Sequence, residues 1–174
     1  MEISSYLKPG NIILDIESQS IEEISERFIR LLLKPLVPEE NLEKAVRECL
    51  EATIAREKYG CTWEGTDVVC PYPAGLDADY MKEPLIGIGI SKKGIRWYFK
   101  ENPEKNWACD ELVHFIIFTI IPDPGQYCVT MGKVNRLFHE RRVEFIQAKS
   151  PDEVTRIVKD WERKRKESSR AKPE

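Results

Sequence analysis

The run Phe-Ile-Ile-Phe-Thr-Ile-Ile at 115–121 constrains the fold of this chain more than any other feature. With Leu112, Val113 and His114 before it and Pro-Asp-Pro-Gly after it, the run has strand length and almost no polar face. A strand that is apolar on both sides must be covered on both sides. It therefore belongs at the centre of a sheet sandwiched between other layers.

The covering layers are legible as helices. Ser20 and Glu23 form a capping box ahead of a stripe made by Ile21, Ile24, Phe28, Leu31 and Leu32, and Pro35 ends that helix. A second helix opens at Pro38 with Glu39 and Glu40 at the positive end of its dipole. It carries a stripe from Leu42 to Ile54 and delivers Arg56 and Glu57 to its C-terminal end, where Gly60 is expected to turn the chain. A third helix puts Tyr127, Met131, Val134 and Phe138 on one face. A fourth starts with a second capping box, Ser150 to Glu153.

Between and before these lie strand candidates at 11–16, 67–70 and 85–90, with Ser-Lys-Lys-Gly at 91–94 read as a hairpin turn into 95–99. The hairpin requires one antiparallel pair. The expected fold is therefore α/β, a three-layer α/β/α sandwich around a mixed sheet. It forms one domain over 1–162, followed by a basic, unstructured tail over 163–174.

Composition removes several function classes. A net charge of −3 in 174 residues gives no field for nucleic acid or anionic lipid. No apolar run is long enough to span a membrane, and the first ten residues lack a secretory-signal layout. Five cysteines at 49, 61, 70, 109 and 128, without a CxxC pair, fit neither a disulfide framework nor a zinc knuckle. A reduced, cytoplasmic protein without metal or other cofactor is expected. His114 and His139 belong to no ligand cluster.

The stretch Arg-Glu-Lys-Tyr-Gly-Cys-Thr-Trp-Glu-Gly-Thr-Asp-Val-Val-Cys-Pro-Tyr-Pro at 56–73 resembles the enzyme IIA domain of the bacterial sugar phosphotransferase system, of the mannitol/fructose and nitrogen-regulatory type. In that family an Arg-Glu pair ends a helix, a small-residue loop follows, and an apolar strand ends in Pro-His. The histidine relays a phosphoryl group received from a phosphocarrier protein. The resemblance places Arg56, Glu57, Thr62, Gly65 and Pro71 in the pocket and extends over roughly residues 5–160.

The departures fall at the chemistry. Tyr72 stands where the resemblance places the phospho-histidine, and Tyr127 where it places a second histidine. Trp63 and Asp67 replace small loop residues, with Glu64 beside them. A phenol has a pKa near 10, so only about one molecule in a thousand is ionised near neutral pH. Its phosphate ester is a poor donor. The sequence thus points to a regulatory or binding protein that meets a protein partner: a phosphocarrier protein, a sensor or regulator, or a transporter. Two alternatives stay open: an active component with an unusual acceptor such as His114, and a docking module of an anion transporter. Each site residue also has a plainer role: Arg56 as a helix-end cation, Tyr72 and Tyr127 as core aromatics, Cys70 as a buried thiol, and the basic run at 162–166 as a solvated helix end.

Overall fold

A computed structural model of the chain describes residues 2–17, 19–64, 67–75, 83–108, 111–121 and 123–170. Two short 3-10 turns (Ile3–Ser5 and Pro9–Asn11) lead into β1 (Ile12–Ile13), α1 (Ile21–Leu33) and α2 (Glu39–Tyr59). Next come β2 (Val68–Val69), β3 (Leu85–Ile95), β4 (Val113–Ile120), α3 (Pro124–Gln147) and α4 (Pro151–Arg170). The sheet order is β1-β3-β4-β2, with β1 parallel to β3, β2 parallel to β4, and β3 antiparallel to β4.

The period of two along β4 divides the core. Ile116, Phe118 and Ile120 pack with α1 and α2, whereas Phe115 and Ile117 pack with α3 and α4. This is the three-layer arrangement that the apolar run demands. On β3, Ile86, Ile88 and Ile90 supply the α3/α4 side, leaving Gly87 and Gly89 toward α1. A Cβ at Gly87 would lie 2.7 Å from the Phe28 ring, so the glycines let Phe28 reach the sheet, where it stacks on Phe118 at 5.7 Å.

The first capping box forms in full. The Glu23 N–H donates to Ser20 Oγ, and the Ser20 N–H to the Glu23 carboxylate at 3.0 Å. The second forms by half: the Glu153 N–H reaches Ser150 Oγ, but the Glu153 carboxylate takes the Lys149 N–H at 2.7 Å.

Five expectations need correction. Ser91 to Gly94 make no hairpin turn. They remain in β3, which bulges against β4 between Ile90 and Ile95, with Gly94 at φ 74°. The antiparallel partner of β3 is β4, reached only after an excursion that closes on itself through Trp97 N–H to Asn106 Oδ1. The strand expected over 11–16 shortens to β1, because Asp15 at φ 52° breaks the extended backbone, although the Ile16 N–H still donates to the Ile90 carbonyl of β3 at 3.0 Å. Gly60 is extended rather than left-handed, so α2 ends without the glycine cap that its sequence suggests. Helix α3 begins earlier than expected. Pro124 takes its first turn and Asp123 Oδ1 accepts the Gly125 N–H, while Arg141 interrupts the helical backbone. Helix α4 runs through Arg170 and covers most of the stretch expected to be an unstructured tail. Its basic run pairs internally: Arg163 and Lys164 with Asp160, Arg165 with Glu140, and Lys166 with Glu2. Residues 171–174 lie outside the described residues.

Candidate functional site

Successive residues on a helix point about 100° apart. The last turn of α2 therefore sends Arg56 and Glu57 to different places. Arg56 Nε donates to the Tyr72 hydroxyl at 2.7 Å, Nη1 donates to the Gly60 carbonyl at 2.8 Å, and the guanidinium carbon lies 5.0 Å from the centre of the Tyr72 ring. The contact combines a charge-assisted hydrogen bond with a cation–π approach.

Tyr72 is half-buried and follows Cys70 and Pro71, both buried, at the end of the β2 segment. The Thr119 N–H donates to the Pro71 carbonyl at 3.2 Å and carries the parallel pairing past β2. On the other side of the Tyr72 ring lies Tyr127 from the first turn of α3. The ring centroids are 4.3 Å apart and the planes tilted by 39°. Burial, with Cys70 and Tyr72 adding to it, holds the Tyr127 phenol well above its ordinary pKa, against the opposing Arg56 charge. Tyr127 is therefore a neutral phenol, able to donate but not to act as a base.

Glu57 is fully buried and lies behind this pair. Its carboxylate accepts from the Thr62 hydroxyl, from the Thr62 N–H at 3.4 Å and from Trp97 Nε1 at 3.3 Å. Its carbonyl accepts from Trp107 Nε1 at 3.1 Å. Burial pushes its pKa up, and the hydrogen bonds from Thr62 and Trp97 pull against that shift. Gly65 lies outside the described residues.

The loop carboxylates sit apart from one another. Glu64 is exposed and accepts from Asn135 Nδ2 on α3 at 3.0 Å. Asp67 is buried and paired with Arg142 at 2.5 Å, and desolvation raises its pKa in spite of that arginine. Its carbonyl accepts from the N–H groups of His114 and Phe115, whereas Pro71 lies beside Thr119. Asp67 and Tyr72 are therefore at opposite ends of the β2 segment, about 16 Å apart at the rise of a strand. The Asp67 carboxylate is thus no close neighbour of Tyr72. Asp67 stands at φ 69°, so the backbone conformation that favours glycine is kept there by a side chain that tolerates it. Trp63 bridges to Val69 and packs against the α1/α2 core.

His114 is at the Asp67 end, with Nδ1 at 2.8 Å from the Ser91 carbonyl; His139 is exposed on α3. Neither imidazole adjoins Tyr72. Burial pushes the Cys70 thiol well above its usual range, which makes it inert. Among the described residues no group of three His, Cys, Asp or Glu side chains could hold a metal ion. Nor is any described helix long and apolar enough to cross a membrane. Trp97, Trp107, Asn135 and Arg142 escaped the sequence reading. They belong to other elements, and no local spacing links them to 56–73.

A family model described as the phosphoenolpyruvate-dependent sugar phosphotransferase system, EIIA 2, matches residues 5–161. No curated protein matches. Among solved structures, the nitrogen regulatory protein IIA-Ntr from Neisseria meningitidis is similar at 20% identity and a TM-score of 0.67, covering 90% of this chain and 98% of that one. The complex of enzyme IIAMTL and phosphorylated enzyme IIBMTL from Escherichia coli is similar at 21% identity and 0.65, covering 88% and 97%. The crystal structure of IIA mannitol from Escherichia coli gives 19% and 0.65, covering 87% and 98%.

Proposed function

The chain belongs to the phosphotransferase system EIIA 2 family, and from that premise we propose that it is a regulatory, protein-binding member that carries no phosphoryl group at Tyr72. The observation that carries this reading is the 2.7 Å bond from Arg56 Nε to the Tyr72 hydroxyl. The cation that would meet a phosphoryl group is engaged by a phenol at the position where the resemblance puts the reacting imidazole. A phosphate ester on that phenol would be a dead end, because a phenolate leaves far less readily than an imidazole. Tyr127, packed on the same ring, offers a neutral hydroxyl and no second base.

The partner is a protein. A structural neighbour is a complex of a IIA protein with a phosphorylated IIB protein, which supports the same surface here meeting a phosphocarrier protein, a IIB-like domain, a sensor or regulator, or a transporter domain. The free thiols Cys49, Cys70 and Cys128 support a reducing, cytoplasmic setting. An alternative acceptor at His114 is disfavoured, because His114 stands at the Asp67 end of the β2 segment, away from the Arg56–Tyr72 contact.

The test is to incubate the protein with phosphoenolpyruvate, enzyme I and the phosphocarrier protein, then measure intact mass. An unchanged mass is expected. An acid-labile phosphoryl adduct at stoichiometric yield would overturn the reading.

A further inference from the structure

We infer that Glu57 is the positioning residue that holds Arg56 on the Tyr72 hydroxyl; the inference rests on the Arg56–Tyr72 site of the proposed function. The last carbonyls of a helix have no partner within it. Usually a left-handed glycine folds the chain back to satisfy them. Here Gly60 is extended, so the end of α2 is closed by side chains instead. Arg56 takes the Gly60 carbonyl and Trp107 Nε1 takes the Glu57 carbonyl.

The Glu57 side chain then joins this turn to two further segments. Thr62 approaches from the chain leading to β2, with both its hydroxyl and its N–H, and Trp97 approaches from the chain leaving β3. All three are donors, and only a carboxylate presents acceptors alone. Glu57 and Arg56 share one turn of backbone, so fixing the buried side chain fixes the outward one. Without that anchor the turn has no backbone cap and is held only by Trp107 on its main chain and by Arg56 itself, and Arg56 Nε is free to leave Tyr72. Glu57 touches neither Tyr72 nor Tyr127 in any hydrogen bond, so it acts through Arg56.

The reporter is the exchange rate of the Arg56 Nε–H with water, followed by NMR on the full-length ¹⁵N-labelled protein. Glu57→Gln places an amide NH₂ against a ring of donors. Thr62→Val removes one donor and leaves the charge. Each is expected to speed exchange by about tenfold or more, the scale of one lost hydrogen bond. Val154→Ala opens a cavity in the core on the other face of the sheet and should leave the rate unchanged.

If Glu57→Gln and Thr62→Val both exchange at the wild-type rate, or Val154→Ala accelerates equally, Glu57 has no positioning role. Should Glu57→Gln fail to fold, Thr62→Val decides. Tyr72→Phe separates this inference from the reading beneath it. If it leaves the rate unchanged, the Arg56–Tyr72 contact is absent and both fall. If it accelerates exchange while the Glu57 and Thr62 variants do not, only the positioning role falls.

Discussion

Tyr72 and Tyr127 lie ring against ring at 4.3 Å, the first at the end of the β2 segment and the second in the opening turn of α3. The resemblance assigns a histidine to each position; the structure has two phenols there that pack on one another. The substitutions are coupled through packing, and this coupling determines what reversing either one achieves.

Tyr72→His alone is expected to take up phosphoryl groups slowly from the phosphocarrier protein. The imidazole would return beside Arg56, but Tyr127 would still cover it with a neutral, partly buried ring. Adding Tyr127→His exchanges that neutral hydroxyl for an imidazole, which as the imidazolium donates with a positive charge. One well-placed donor to a developing charge is worth about a hundredfold, so the double variant should exceed the single by at least about tenfold in initial rate. Adding Asp67→Gly should not raise the rate further, because that carboxylate is at the far end of β2, paired with Arg142. A Tyr72→His rate equal to the double variant's would show that Tyr127 is no obstacle.

The ring pair should also be visible in stability. In a double-mutant cycle of Tyr72→Ala and Tyr127→Ala, urea denaturation should yield a coupling of about 0.5–1.5 kcal/mol, the range for offset aromatic pairs. Strictly additive losses would mean that the rings do not act on one another.

Glu57 should give the protein a specific pH dependence. Its folded pKa is raised by burial, so in the window between the unfolded and folded values the folded state holds a proton that the unfolded chain has released, and above that window Glu57 is the carboxylate that Thr62 and Trp97 meet. The associated stability is fully present below the unfolded value near 4.5 and is lost as pH rises through the folded value. Wild type and Glu57→Gln compared by urea denaturation from pH 4 to pH 7 should therefore differ in slope. The stability of wild type relative to the variant should fall as pH rises. A relative stability that grows with pH over that window would contradict the burial argument.

Arg142→Ala should cost more than Arg163→Ala. Removing Arg142 strips the cation from buried Asp67, whose other carboxylate oxygen already lacks a donor among the described residues. Leaving a buried polar group unpaired costs about 1–3 kcal/mol. Arg163 pairs with Asp160 and Glu167 at the surface, where an ion pair contributes about 0–1 kcal/mol. Thermal unfolding midpoints of the two variants make the comparison, and equal midpoints would show the Asp67 pair to be solvated.

The parts of the fold legible in the chain are those whose cause is local. Ser20 and Glu23 find each other because three residues on a helix bring them together. The unbroken apolar run at 115–121 demands cover on both faces whatever covers it. The resemblance of 56–73 to a family pattern is likewise carried by neighbouring residues, and it puts Arg56 and Tyr72 in one expected pocket.

What the tertiary structure alone decided involves partners distant in sequence. The residues at 91–94 carry turn chemistry, yet β3 runs through them as a bulge, because the flanking pairs Ile90–Phe115 and Ile95–Val113 hold both ends on β4. Asp67 reads as a charge in the loop beside Tyr72. Only the parallel pairing of β2 with β4 carries it to the opposite end, and only α3 brings it Arg142. Glu57 reads as the partner of Arg56 in a motif. Its burial among Thr62, Trp97 and Trp107 is set by a helix end meeting chain some forty and fifty residues away, and side-chain spacing along the sequence holds no record of such a meeting.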